Sequence, residues 1–246
     1  VEVTSEAVEQ QAASGPSWAD KTTVGGYGEL HYNNLDSKNE IDFHRFVLFF
    51  GHEFSDRVRF FSELEVEHSG VQSGSGSDPL AGEVELEQAF VEFDFAGKHT
   101  ARAGLFLVPA GIMNETHEPH TFYGVERNPV ETNIIPSTWW EAGAGVAGEL
   151  APGWGYDVSL TSGLETPTTG SDAYKIRKCR QNVSNAKAND GALTGRIKWT
   201  GLPGVELAAT AQYQSDLTQG MGAAGTTSSA TLFETHAVLS RGPVGL

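Results

Sequence analysis

Cysteine is almost missing from this chain: there is one, Cys179, in 246 residues. A single thiol excludes an internal disulfide framework. It sits in a polar, basic loop with no base or acid beside it that argues for a nucleophile, so it reads as a buried or incidental thiol. No run of about 18 apolar residues occurs, which excludes a transmembrane helix. Basic residues are scarce: 16 Lys and Arg stand against 32 Asp and Glu, giving a formal charge of −16. That balance argues against nucleic acid as a partner. The opening Val1-Glu2-Val3-Thr4 has neither a basic nor an apolar segment, so any export signal is expected to lie outside these residues. Nucleophile elbows, phosphate loops and paired-cysteine motifs are also missing. The expectation is therefore a protein without a cofactor that is not an enzyme.

What the chain does have is alternation. In Val58-Arg59-Phe60-Phe61-Ser62-Glu63-Leu64-Glu65-Val66-Glu67, one parity carries Val58, Phe60, Leu64 and Val66, the other Arg59, Glu63, Glu65 and Glu67. Successive side chains of a strand point to opposite faces, so this is a strand with a greasy side and a charged side. The same two-sidedness recurs in Tyr156, Val158, Leu160 and Leu164 against Asp157, Ser159 and Thr161. It recurs again in Val205, Leu207, Ala209, Ala211 and Tyr213 against Glu206, Thr210, Gln212 and Gln214. The stretch 40–54 is less clean, because Val47 and Phe49 share a parity with Arg45. Ten strands are predicted, at about 23–33, 40–54, 58–68, 83–95, 99–111, 139–150, 154–164, 192–200, 204–215 and 231–240.

The connections alternate in length. After every second strand they are tight, as at Ser55-Asp56-Arg57, Ala96-Gly97-Lys98 and Ala151-Pro152-Gly153. Between those they are long, at about 69–82, 112–138, 165–191 and 216–230, with only the first gap, Asn33 to Asn39, short. Short turns on one rim and long loops on the other suit an outer-membrane barrel, whose outer face alone must be apolar. Aromatics near strand ends, including Tyr27, Tyr32, Phe54, Phe95, Trp139, Trp140, Trp154, Trp199 and Tyr213, suit a headgroup-level girdle. Residues 1–22 read as a flexible leader or the end of an upstream periplasmic helix, and 23–246 as the N-terminal part of the barrel.

The motifs Gly104-Leu105-Phe106-Leu107-Val108-Pro109-Ala110-Gly111, Glu126-Arg127-Asn128-Pro129-Val130-Glu131 and Trp140-Glu141-Ala142-Gly143 resemble Gram-negative outer-membrane porins of the phosphate-selective porin-like group. Tyr174-Lys175-Ile176-Arg177 and Leu193-Thr194-Gly195-Arg196 fit the same resemblance, which covers about 23–243. It implies a transmembrane antiparallel β-barrel of sixteen strands, a homotrimer in lipid and lipopolysaccharide, and a long third loop folded into the lumen. The chain departs from the group in having ten strands and in ending Gly242-Pro243-Val244-Gly245-Leu246 without a terminal aromatic. An open edge in lipid leaves backbone groups unsatisfied, so the expectation is a piece of a longer barrel.

The parities assigned inward place Arg45, Arg59, Glu63, Glu65, Glu67, Arg102, Arg196 and Lys198 on the pore wall. The loop 112–138 carries Glu115, Glu118, Glu126 and Glu131, with Phe122 and Tyr123. If it folds inward, its carboxylates face basic wall residues and the field sorts solutes by charge. A solvated polar face is the competing reading for each of these residues. His117-Glu118-Pro119-His120 has too few spaced ligands to define zinc. The acidic balance predicts a passive channel for small hydrophilic solutes, weakly preferring cations. Two rivals stay open: an outer-membrane barrel enzyme of protease type, with His117 and His120 as its rim candidates, and a soluble secreted β-sandwich or adhesin.

Overall fold

The computed structural model describes residues 17–70, 82–122, 124, 127–220, 226–242 and 244–245. Most of the leader, 1–16, lies outside them, as do Tyr123 and Glu126. Ten long strands and one short one follow in chain order: β1 (Thr22–Leu35), β2 (Lys38–Ser55), β3 (Val58–Glu67), β4 (Val84–Ala96) and β5 (His99–Leu107). Then come β6 (Trp140–Ala151), β7 (Trp154–Thr161), β8 (Ala192–Trp199), β9 (Val205–Gln214), β10 (Ala230–Arg241) and β11 (Val244–Gly245). Helix is confined to three 3-10 turns and one short helix, α1 (Pro129–Asn133), among the described residues. None is long and apolar enough to cross a membrane, which says nothing of crossing by strands. The chain divides into two compact units between Leu86 and Glu87, inside β4.

In the first unit β1, β2 and β3 form an antiparallel meander. The connection between β1 and β2 is Asp36-Ser37 alone. One register shift divides β2: Glu29 faces Arg45 and Leu30 faces Phe43, which leaves His44 as the extra residue of a bulge. The bulge changes parity along β2. Ile41 and Phe43 are exposed before it, Phe46 and Leu48 after it, while Arg45 and Val47 are buried. The mixed pattern of this strand follows from that bulge, because one inserted residue moves every later side chain to the other face. Phe49 shares the inner face, with its ring 6.2 Å from Tyr27 and 6.1 Å from Phe61. Tyr27 therefore points away from the exposed rim where a girdle would put it.

The second unit continues the antiparallel order from β5 to β11, with β4 paired to β5. Its tight turns are alike. The register slips between Asp94 and Ala96 and again between Glu149 and Ala151, leaving Phe95 and Leu150 as extra residues. Gly97 (φ 60°) and Gly153 (φ 80°) take the left-handed conformation each turn needs, which glycine adopts without a Cβ clash. In the first unit Phe54 is skipped in the same way beside the Asp56-Arg57 turn.

Two strands are shorter than the alternation predicts. β5 stops at Leu107 rather than 111, because Pro109 has no N–H for a ladder. β7 stops at Thr161 rather than 164. There the Gly163 N–H donates to the Glu141 carboxylate (2.7 Å), not to a neighbouring strand. Leu164 accordingly leaves the outer face and is buried with Val108, Ala110, Trp139, Cys179 and Leu217. This apolar cluster joins the three long connections that follow β5, β7 and β9. Trp139 and Trp140 are buried, so neither belongs to an exposed girdle, while Trp154 and Tyr213 are exposed.

The sheet surfaces are inverted relative to an ordinary water-soluble domain. Phe233 is 78% exposed and Leu160 60%, while Asp157 is 6% exposed and Thr210 3%. Leu86, Val146, Val158, Leu193, Ile197 and Leu207 join the exposed apolar side. The all-β, antiparallel reading is what the structure shows.

Candidate functional site

The polar face of the second unit carries a chain of charges across successive strands. Antiparallel register sets Asp157 of β7 beside Arg196 of β8, Arg196 beside Thr210 of β9, and Thr210 beside Glu234 of β10. Directly opposed residues on one face bring their side chains into contact. Arg102 of β5 reaches Asp157 (Nη2–Oδ1 2.7 Å), and Arg196 reaches the other carboxylate oxygen of the same residue (3.4 Å). The Arg102 guanidinium also lies 4.5 Å from the Phe106 ring centroid. Further along, Lys198 pairs with Glu206 (3.6 Å), Glu206 with His236 (3.3 Å) and His236 with Glu234 (2.8 Å).

The long connection after β5 lies against this face. Glu115 forms a bidentate pair with Arg196, one of its contacts being Arg196 Nη2 to Glu115 Oε1 at 3.2 Å. The Pro109 carbonyl accepts from the Thr210 hydroxyl (3.2 Å). His117 is buried and its Nε2 lies 2.9 Å from Glu87 of β4, while its Nδ1 lies 3.0 Å from the Asn114 carbonyl. Asn114 closes the base of the loop. Its amide donates to the carbonyls of Val108 (2.7 Å) and Trp139 (2.9 Å), and its oxygen accepts from the Trp139 N–H (2.7 Å). One buried side chain thereby satisfies the Trp139 N–H and gives a second donor to two carbonyls that already accept from the Ala110 and Val108 N–H groups. α1 is capped by Asn128, whose side-chain oxygen accepts from the N–H groups of Val130 and Glu131, the usual role of Asn at a helix start.

The predicted residues divide by what they touch. Arg102, Arg196, Lys198 and Glu115 meet in the polar network just described. Glu131 is buried, and its Oε1 accepts from the Ile112 N–H (3.0 Å), which ties it to its own loop. Glu118 contributes its carbonyl, which accepts from the Thr121 N–H (2.9 Å) and hydroxyl (2.7 Å). Glu126 lies outside the described residues. In the first unit, Arg45 pairs with Glu29 (2.8 Å) and Glu65 (3.4 Å). Glu63 is buried on the same face. Arg59 stands opposite Glu53 in the ladder, and Glu67 opposite Arg45. His117 and His120 do not converge, since His117 is buried against Glu87 while His120 is exposed.

Sequence reasoning placed Glu206 on the inward face without a partner, and gave no role to Asn114, Glu87, Glu234 or His236. Glu206 sits in the alternation that located Lys198 and could have been paired with it. Asn114 and Glu87 carry no such signal, because their partners are backbone groups and a histidine from distant parts of the chain.

No protein-family model matches the chain. An uncharacterized protein of Aquifex aeolicus (strain VF5) is 40% identical over 179 residues, covering 71% of this chain and 40% of that protein. The chain thus spans about 40% of the length of this curated relative. Among solved structures, a high-pH structure of Pseudomonas putida OprB aligns with 79% of this chain and 50% of that one, at 16% identity and a TM-score of 0.43. At that identity and score the likeness carries no argument about this chain.

Proposed function

We propose that this chain forms wall and constriction of an outer-membrane β-barrel pore, a passive channel for small hydrophilic solutes with a weak preference for cations. The observation that carries the reading is the inverted surface: ionisable side chains are buried on one face of the strands while large apolar side chains stand exposed on the other. Lipid against the outer face removes the cost of exposing that apolar area. A water-filled lumen on the inner face accommodates the charges. The connection after β5, held on the polar face by Pro109, Glu115 and His117, narrows the path.

The charge count supports the selectivity. In the second unit's network, Arg102, Arg196 and Lys198 face Asp157, Glu115, Glu206 and Glu234, so carboxylates outnumber cations. In the first, Arg45 faces Glu29 and Glu65. Closure in a barrel of sixteen strands, assembly as a homotrimer and kinship with the phosphate-selective group are what the resemblance implies and belong to the same proposal. Contact with lipopolysaccharide at exposed Lys178 belongs to it too. So does the lack of catalysis.

The experiment is reconstitution of the complete protein in planar bilayers under a potassium chloride gradient. Discrete conductance steps with a reversal potential displaced modestly towards the cation value are expected. A clear anion preference would show that Arg102, Arg196 and Lys198 dominate the field. A protein that stays monodisperse in water without detergent and makes no channels would defeat the pore reading and favour the soluble rival.

A further inference from the structure

A second cluster of side chains lies in the first unit, beside the ion pair of Arg45 with Glu29. One ligand-capable atom each from Asp42, His44 and His68 lies within 4.8 Å of the other two. Asp42 Oδ1 is 2.9 Å from His68 Nδ1, and Asp42 Oδ2 is 3.3 Å from His44 Nδ1. The three are part-exposed, with side-chain exposures of 25%, 23% and 41% for Asp42, His44 and His68.

The backbone sets this arrangement in two unusual ways. His44 is the bulged residue of β2, skipped by the ladder with β1, and bulges re-aim side chains. His68 follows β3 with φ 49°, and Ser69 with φ 63°. Left-handed conformations in non-glycine residues are uncommon and cluster at functional sites. The His68 N–H donates to the His44 carbonyl (3.1 Å), which fixes one histidine beside the other. On the far side of His44, His31 stacks at 4.4 Å between centroids with planes 10° apart, and Glu29 Oε1 lies 2.7 Å from His31 Nε2. The His44 ring is therefore held in place by a neighbour that is itself hydrogen-bonded.

The geometry points to a binding site for a divalent transition-metal ion made by Asp42, His44 and His68. Tetrahedral zinc takes imidazole nitrogens at about 2.0–2.1 Å and carboxylate oxygens at about 2.0–2.2 Å, which sets neighbouring ligand atoms about 3.4 Å apart. The observed separations to Asp42, 2.9 and 3.3 Å, fall just short of that spacing, so small side-chain shifts would seat the ion. Two imidazoles and one carboxylate suit zinc, copper or nickel, not calcium or magnesium, which take oxygen ligands. Three protein ligands on a part-exposed surface leave a fourth position for water or a solute group. On metal binding, the hydrogen that each ring shares with Asp42 would reside on Nε2, leaving Nδ1 for the ion. The site stands whether or not the chain forms a pore.

The test is calorimetric titration of the full chain, purified in detergent without a histidine tag, with zinc chloride. One ion per chain is expected, and excess calcium chloride should not compete. His44→Gln with His68→Gln should lower the affinity by ~100-fold or more, beyond the effect of losing an outer-shell partner. His120→Gln, an exposed loop histidine, should leave it unchanged. Electron paramagnetic resonance of the copper form should show two imidazole nitrogens, a readout that does not depend on the variants folding. No zinc binding by the folded chain, equal binding by the double variant, or loss of binding with His120→Gln would overturn the proposal.

Discussion

Arg196 is the residue on which the polar network depends most. It bonds Asp157 on one side and Glu115 on the other, and it is buried together with Asp157. Removing one partner of a buried ion pair leaves an uncompensated charge, at about 3–5 kcal/mol. Arg196→Met leaves Asp157 its Arg102 partner, so it should lower unfolding stability by less than that in a urea titration, and should shift the reversal potential further towards cations. Glu115→Gln leaves Arg196 its Asp157 partner and should change stability little while weakening cation preference. A second residue, Asp216, orders the connection after β9. Its carboxylate accepts from the N–H groups of Thr218 (2.9 Å), Gly220 (3.0 Å) and Ser228 (3.0 Å) and from the Thr218 hydroxyl. These bonds, led by that from Ser228, hold its pKa down at about 2. A carboxyl depressed in the folded state stabilises above its unfolded pKa and loses that contribution as pH falls through the folded value. The loop should thus keep its order down to about pH 3 and loosen near pH 2, as read by amide protection at Thr218 and Ser228. Asp216→Asn should show the loosened loop at neutral pH. Loosening of the unaltered loop already at pH 4 would contradict the assignment.

At the scale of elements, the strands were legible and the loops were not. Period-two alternation located β3, β7, β8 and β9 and gave the correct exposed side for Leu64, Leu160, Ile197 and Leu207. The signal works because each face meets one environment along the whole strand. It blurred in β2, where the His44 bulge reverses parity, and bulges leave no compositional mark. It overran at Leu164, where the backbone turns to bury an apolar residue among loops. The loop 112–138 was recognisable as long and apolar, but its anchors, Asn114 and Glu131, act through backbone groups and no spacing encodes such partners. Asn114→Ala strands the buried Trp139 N–H, at about 1–3 kcal/mol for one orphaned group, while the Val108 and Trp139 carbonyls keep their bonds from the Ala110 and Val108 N–H groups. The expected reading is loss of near-ultraviolet dichroism from Trp139 with the strand signal intact. For the strands, a charge at Leu160 should cost about 2–4 kcal/mol if that position lies at mid-bilayer, and little if water bathes it. Nitroxides at Leu160 and Leu207 should be quenched by oxygen, and those at Asp157 and Thr210 by a water-soluble nickel chelate. The reverse pattern would exchange the two faces.

For the molecule as a whole, the decisive question is whether the loop 112–138 restricts passage. Deleting 118–132 should raise single-channel conductance, and unchanged conductance would place the narrowest point elsewhere. The same question has a probe already built into the chain. Cys179 is the sole thiol. It lies under the apolar cluster shared by the three long connections and is shielded with Trp139, Leu164 and Leu217. Burial also pushes its pKa up, so the enclosed sulfur is a poor nucleophile and reacts only when the cluster parts. Its alkylation rate therefore counts excursions of the loops away from their packed state, and the ratio to a free thiol's rate gives the free energy of those excursions. A loop assembly that is a fixed filter should yield the same low ratio to a free thiol's rate at every membrane voltage and pH at which the strands stay folded. One that acts as a gate should yield rates that climb in step with conductance, with no engineered label anywhere in the protein.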